Sequence, residues 1–211
     1  LRDRQAIVAL PSDRLRRALL RGQGGAAVSF ERAANLQLAK LLLDLNRPAD
    51  AREALTRWLA RGEDHGARRL RVAATFALKD YAATIADADA LLAADAADDW
   101  ARSAKASAQI ERGAPKEAVR TIKAAPSKPQ GALLHMLARA HALAGSIDAA
   151  TTAFGALYAQ SDDKARQRIA ADLSSRGYLR AQGAPLVKSQ SMQDALRACV
   201  IDRRCLIGDV L

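Results

Sequence analysis

The residues of this 211-residue chain whose types could carry a reaction are two cysteines, three histidines, one glycine-rich tetrapeptide and two pairs of carboxylates. Cys199 and Cys205 lie six apart. On one continuous helix they would stand about 9 Å apart along the axis and on different faces. That exceeds the roughly 7 Å Cα separation a disulfide spans. They pair if the chain bends near Ile201-Asp202, and otherwise read as small buried hydrophobes; a bridge would point to an oxidising compartment such as a periplasm. Neither has a neighbouring His or a second Cys pair for zinc, and nothing in the sequence recommends a Cys–His nucleophile. Of His65, His135 and His141, the last two are six apart without an i, i+4 partner, which is poor metal geometry. Gly22-Gln23-Gly24-Gly25 follows a helical pattern rather than a strand and lacks the Lys-Ser/Thr of a phosphate loop, so it reads as a helix terminator. Asp87 and Asp89, and Asp98 and Asp99, read as carboxylates around helix ends, where negative charge complements the helix dipole. No cofactor or metal is expected, no catalytic residue is assigned, and the chain by itself is expected not to be an enzyme.

The elements that would hold such residues are helices. Fifty of the 211 residues are Ala and 4% are aromatic. Alanine loses no side-chain entropy in a helix and is depleted in sheets, which excludes an all-β fold. Gly and Pro together number 18, too few for a collagenous or low-complexity chain. No run approaches the roughly 18–20 uninterrupted apolar residues of a membrane span.

Turn signals recur at Asn46-Arg47-Pro48, Lys79-Asp80-Tyr81, Gly113-Ala114-Pro115 and Gly145-Ser146-Ile147, with first residues 33, 34 and 32 apart. Five residues into each unit comes a small residue (Ala51, Thr84, Ala118, Ala150), and four further on a second inward candidate (Leu55, Ala88, Ile122, Phe154). The i, i+4 spacing puts both on one helix face. Before each turn lies a helix with small residues at its centre, clearest at Leu137-Ala138-Arg139-Ala140-His141. A fixed period of this size marks a stack of helical hairpins that bury a shared core.

On Leu137-Ala138, Gly145, Ala150 and Phe154, on Gly113, Ala118 and Ile122, on Tyr81 and Ile85, and on Ala51, Leu55 and Leu59, the chain resembles the tetratricopeptide repeat family over roughly residues 34–160. It departs from that pattern at Thr84, where Ala is usual, and at Lys105, where a large apolar residue is usual. The resemblance implies an all-α, right-handed superhelical solenoid of antiparallel helix pairs with about four repeats. Residues 1–33 are expected to form N-terminal capping helices, including Asp13 to Arg21 with Leu15, Leu19 and Leu20 inward, then a new helix from about Ser29. Residues 161–211 are expected to give a capping helix over 162–176, a loop marked by Gly177, Gly183 and Pro185, and a last helix from Met192 to Ile201.

Lys and Arg outnumber Asp and Glu by 33 to 23, a net charge of +10. The excess is spread along the chain without a block of five like charges, so a basic arm of the nucleic-acid type is absent. The densest cluster is Arg14, Arg16, Arg17 and Arg21. The resemblance implies a concave groove lined by the first helix of each unit, and hence a scaffold or adaptor that holds a protein or peptide. Arg68, Arg69, Arg71, Arg102, Lys105, Arg112 and His141 are the candidate partner-binding residues, suited to carboxylates through charge-assisted hydrogen bonds. The setting associated with the resemblance is a bacterial cell-envelope assembly for secretion, pilus or polysaccharide export, with the periplasm favoured over the cytoplasm. The alternatives are binding of an anionic polymer, either nucleic acid or acidic polysaccharide, and a regulatory domain of a larger enzyme. Sparse aromatic residues argue against nucleic acid.

Overall fold

The structure, a computed structural model, describes residues 24–179 and 190–202. These form helices α1 (Gly24–Asp44), α2 (Pro48–Leu59), α3 (His65–Ala77), α4 (Tyr81–Ala94), α5 (Asp99–Glu111), α6 (Pro115–Lys123), α7 (Gly131–Leu143), α8 (Ile147–Gln160), α9 (Asp163–Ser175) and α10 (Gln190–Ile201). No strand occurs among the described residues. The chain divides into two compact units at the second turn, Leu1–Leu78 and Lys79–Leu211.

The turns repeat one conformation. Asn46, Lys79, Gly113 and Gly145 all take positive φ, at 56°, 59°, 81° and 76°. Around them the N–H of Arg47 reaches Leu42 O, that of Ala114 reaches Gln109 O and that of Ser146 reaches His141 O, at 2.7–2.9 Å. This is the Schellman closure, in which a left-handed residue lets the following N–H turn back onto a helix-terminal carbonyl. Gly177, expected only to mark a loop, is a fifth example (φ 81°), 32 residues after Gly145, where the N–H of Tyr178 bonds Leu173 O. Helix starts are equally regular. Asp64, Asp80, Asp98 and Asp162 cap α3, α4, α5 and α9 with side-chain acceptors, while Pro48 and Pro115 open α2 and α6. Both devices suit a helix's unpaired first-turn N–H groups.

Both recurrent sets of inward positions are buried: Ala51, Thr84, Ala118 and Ala150, and Leu55, Ala88, Ile122 and Phe154. Thr84 fits the site of an alanine because its hydroxyl donates to Asp80 O at 2.9 Å within its own helix. In the first unit Ala39, Leu55 and Ala67 form a small core supported by Leu36, Trp58, Leu59 and Leu70. In the second unit a larger core runs from Ala106 on α5 through Leu134, Phe154 and Leu173 to Leu196 and Val200 on α10. Consecutive helices pack as neighbours: α1 with α2 and α2 with α3 in the first unit, then α4 with α5 and onward to α7 with α8 in the second. After α8 the order changes, because α10 packs on α8 more extensively than α9 does.

Several expectations are corrected in detail. The helix expected from about Ser29 begins at Gly24, so the second half of the glycine tetrapeptide lies in the first turn of α1. Asp87 and Asp89 lie in the middle of α4, not at an end; Asp87 is buried and Asp89 pairs with Lys105. α10 does end at Ile201, where a bend was required for the cysteines. Cys199 is fully buried and disulfide-bonded. Cys205, Arg14 to Arg21, Gly22, Gln23, Gly183 and Pro185 lie outside the described residues.

Candidate functional site

Two polar centres can be built from the residues upward, one in each unit. In the first, Asp64 ends the α2–α3 loop and caps α3. Its carboxylate accepts from Arg32 Nε and Nη2 at 2.6 and 2.9 Å, from Trp58 Nε1 at 3.0 Å, and from the N–H groups of Gly66 and Ala67 at 2.9 and 3.2 Å. Burial would raise this carboxyl's pKa, but the Arg32 hydrogen bonds outweigh it, and with Trp58 and the Ala67 N–H they hold it at about 2. Gly66 permits the approach, since a Cβ there would lie 3.1 Å from Arg32 Nη2. Arg61 stacks over the Trp58 ring at 5.7 Å and pairs with Glu31 on α1. A recess of about 600 Å³ opens beside these groups, with His65 on its rim. Its polar atoms are largely spent on each other, so the cluster fastens α1, α2 and α3 together rather than presenting free donors.

The second centre is the face shared by α5 and α7. Ser107 Oγ lies 3.5 Å from Met136 Sδ, and Arg139 Nη2 donates to Glu111 at 3.1 Å. Trp100 and Leu143 are exposed on the same two helices. Beyond the N-terminus of α7 a recess of about 930 Å³ is bounded by Gln130, His135, Leu157, Gln160 and Asp162. His135 packs its ring 6.3 Å from that of Phe154, and no side chain caps the first turn of α7. The recess therefore offers an apolar floor with amide, imidazole and carboxylate groups at its rim.

The candidate basic residues fall into three settings. Arg102 is buried: its Nη1 donates to Thr121 O at 3.0 Å and its Nη2 to Ala96 O at 2.5 Å, so it ties α5 to α6 and the preceding loop. His141 is buried too, its Nδ1 has no hydrogen-bond partner, and burial together with the charge of Lys123 lowers its pKa. Neither presents its polar head to solvent. Arg71 and Lys105 occupy the same place, eight residues before a turn, and reach residues ten after the preceding turn: Arg71 to Thr56 Oγ1 at 3.4 Å, Lys105 to Asp89 at 2.6 Å. Lys105 thus departs from an apolar pattern because a carboxylate on α4 receives it. Arg68 pairs with Glu63 at 2.5 Å and Arg112 with Glu117 at 2.9 Å, while Arg69 is exposed on α3.

Exposed cations of another group were not singled out from sequence. Lys116, Arg120 and Lys123 follow one another at i, i+4 and i+7 along the outer face of α6, and the spacing alone could have found them. Among the described residues no three His, Cys, Asp or Glu side chains gather as a metal-ligand set. No described helix is long and apolar enough to cross a membrane. No family model matches the chain, and neither the curated proteins nor the solved structures contain a significant match.

Proposed function

We propose that the chain is a tetratricopeptide-like scaffold whose helix pairs stack into a right-handed superhelix, and that it holds an extended segment of a partner protein. The observation that carries this reading is the recurrence of one left-handed turn every 32–34 residues, with a buried i, i+4 pair in the helix after each of the first four. Stacked hairpins of this kind bind partners along the helices that precede the turns. Here that face is the α5–α7 surface. Trp100 supplies an aromatic anchor of the kind that dominates interfaces, the Glu111–Arg139 pair offers charge on both signs, and the recess by His135 receives a side chain. The disulfide at Cys199 favours an oxidising compartment and thus a cell-envelope setting.

The test is capture of partners from native extract on the immobilised chain, washed at low and moderate salt, beside a Trp100→Ala/Arg139→Glu variant. One protein retained through both washes by the parent and lost by the variant supports the reading. Equal retention by both chains sinks the α5–α7 assignment.

The α6 stripe favours a second reading, attachment to an anionic polymer. In that case log affinity falls steeply and linearly with log salt, and Lys116→Glu/Arg120→Glu abolishes binding while Trp100→Ala leaves it intact.

A further inference from the structure

A recess of about 500 Å³ lies between α8 and α10, within the range of about 300–1,000 Å³ of small-ligand pockets. Asp148, Thr152, Gly155 and Ala159 line it from one face of α8, at i, i+4, i+7 and i+11. Gln193 and Asp194 line it from α10, where the buried Met192 and Leu196 supply apolar surface. Gly155 keeps the space open, because a Cβ there would meet nothing within 4 Å.

Uncommitted acceptors dominate its polar groups. Thr151 and Thr152 donate their hydroxyl hydrogens to Ile147 O and Asp148 O at 2.9 and 2.8 Å, so their oxygens have only lone pairs left to offer. Asp194 is exposed and pairs with no cation among the described residues. Asp148 and Arg197 pair with each other, so the two carboxylates and one guanidinium lining the recess leave one negative charge in excess. Tyr158, a further lining residue, is 1% exposed, and its hydroxyl has no hydrogen-bond partner. A buried hydroxyl in that state costs stability and calls for a partner. Arg166, near enough to act on this hydroxyl, is spent on Asp163.

The earlier units show which charge this place receives. The residue ten after each of the first two turns is Thr56 and Asp89, and each accepts from a cation on the following helix, Arg71 Nη1 at 3.4 Å and Lys105 Nζ at 2.6 Å. The third unit carries a cation of its own there, Lys123. In the fourth the residue is Gly155, and the counterpart of Arg71 and Lys105, eight before the turn at Gly177, is Ile169. The cation that each earlier unit puts at this place is therefore missing, and the gap lies one turn beyond the acceptor oxygens of Thr151 and Thr152. We propose that the recess binds an alkylammonium group, with its carbon stem on Met192 and Leu196 and its head among Asp194, the threonine oxygens and the Tyr158 hydroxyl. Such a group comes from a free amine or from a lysine side chain of another protein. The site goes beyond the partner reading above and does not depend on the α5–α7 surface.

The test adds n-butylammonium chloride, Nα-acetyl-lysine amide or the uncharged Nα-acetyl-norleucine amide to the whole chain, followed by amide NMR shifts and calorimetry. Both ammonium compounds are expected to shift Thr152, Gly155 and Asp194, and the norleucine amide is not. Asp194→Asn should weaken binding about tenfold and the isosteric Tyr158→Phe about threefold, while Gly155→Leu, which fills the space, abolishes it. Tighter binding of the lysine amide than of butylammonium assigns a protein lysine as the source, and equal affinities assign a free amine. Absence of shifts with both ammonium compounds, an equal response to the norleucine amide, or undiminished affinity in Asp194→Asn would overturn the proposal. Should Gly155→Leu lose its fold, Asp194→Asn, at an exposed position, decides.

Discussion

Replacing Asp64 by Asn tests the physical account of the first unit at its most connected residue. The native carboxyl titrates at about 2 against an ordinary 3.8, and its side chain is almost wholly buried. At about 1.4 kcal/mol per pKa unit, the folded first unit favours the anion by about 2 kcal/mol. Because the pKa is depressed on folding, this stability is complete above about pH 4 and disappears as pH falls toward 2. Asn keeps the side-chain oxygen that caps α3 but offers no charge to Arg32, whose guanidinium is half-exposed and can rehydrate. The expected cost at pH 7 is therefore about 2 kcal/mol, short of the 3–5 kcal/mol of breaking a fully buried pair. The assay is urea unfolding followed by the fluorescence of Trp58, which sits 3.0 Å from the carboxylate through its indole nitrogen. Trp100→Phe in both proteins leaves Trp58 as the only tryptophan, since the chain has two. At a urea slope of about 1 kcal/mol per molar for a unit this small, the midpoint drops by about 2 M. Between pH 4 and pH 2 the Asp64 protein should lose its advantage until the two curves converge. A cost below about 0.5 kcal/mol at pH 7, or parallel pH profiles, would refute the reasoning, because the carboxylate would then be no better placed folded than unfolded.

Lys79→Gly relieves a left-handed lysine and should stabilise the chain by about 1 kcal/mol in thermal unfolding, whereas Gly145→Ala should cost about 1 kcal/mol. Arg102→Met leaves Thr121 O and Ala96 O without their donor and should destabilise the second unit by about 1–3 kcal/mol in denaturant melts. A double-mutant cycle on Lys105 and Asp89 should give a coupling of about 0.5–1 kcal/mol that weakens in high salt, the behaviour of a partly exposed pair. Phe154→Ala, in the core of the second unit, should cost about 3–5 kcal/mol by calorimetry.

The parts of this fold that were legible in the sequence are those fixed by residues close along the chain. A left-handed turn needs Gly or Asn or tolerates Lys, a helix start takes Pro or Asp, and a close helix contact takes Ala. These signals gave four turns and the eight buried positions that follow them. Gly177 was read as the start of a loop but not as a fifth member of the turn series, because the Tyr-Leu that follows it does not open another helical pattern. The Asp64 cluster was hidden because Arg32 and Asp64 are 32 residues apart and meet only when α1 and α3 pack. Charge itself misled at Arg102, where a guanidinium reads as surface but is buried by carbonyls that sequence does not display. The exposure of Leu38 and Leu41 on α1 was likewise invisible, because in sequence they look like core residues.

The central claim, that a partner lies along the helices preceding the turns, is tested most directly by photo-crosslinking from two positions in the second unit. One probe replaces Ala132, on the rim of the recess beside α7, and the other replaces Arg120 on the outer stripe of α6. A single partner protein crosslinked from position 132 and not from 120 is the predicted result. Crosslinks from position 120 alone, or to nucleic acid or polysaccharide in place of protein, would contradict the account.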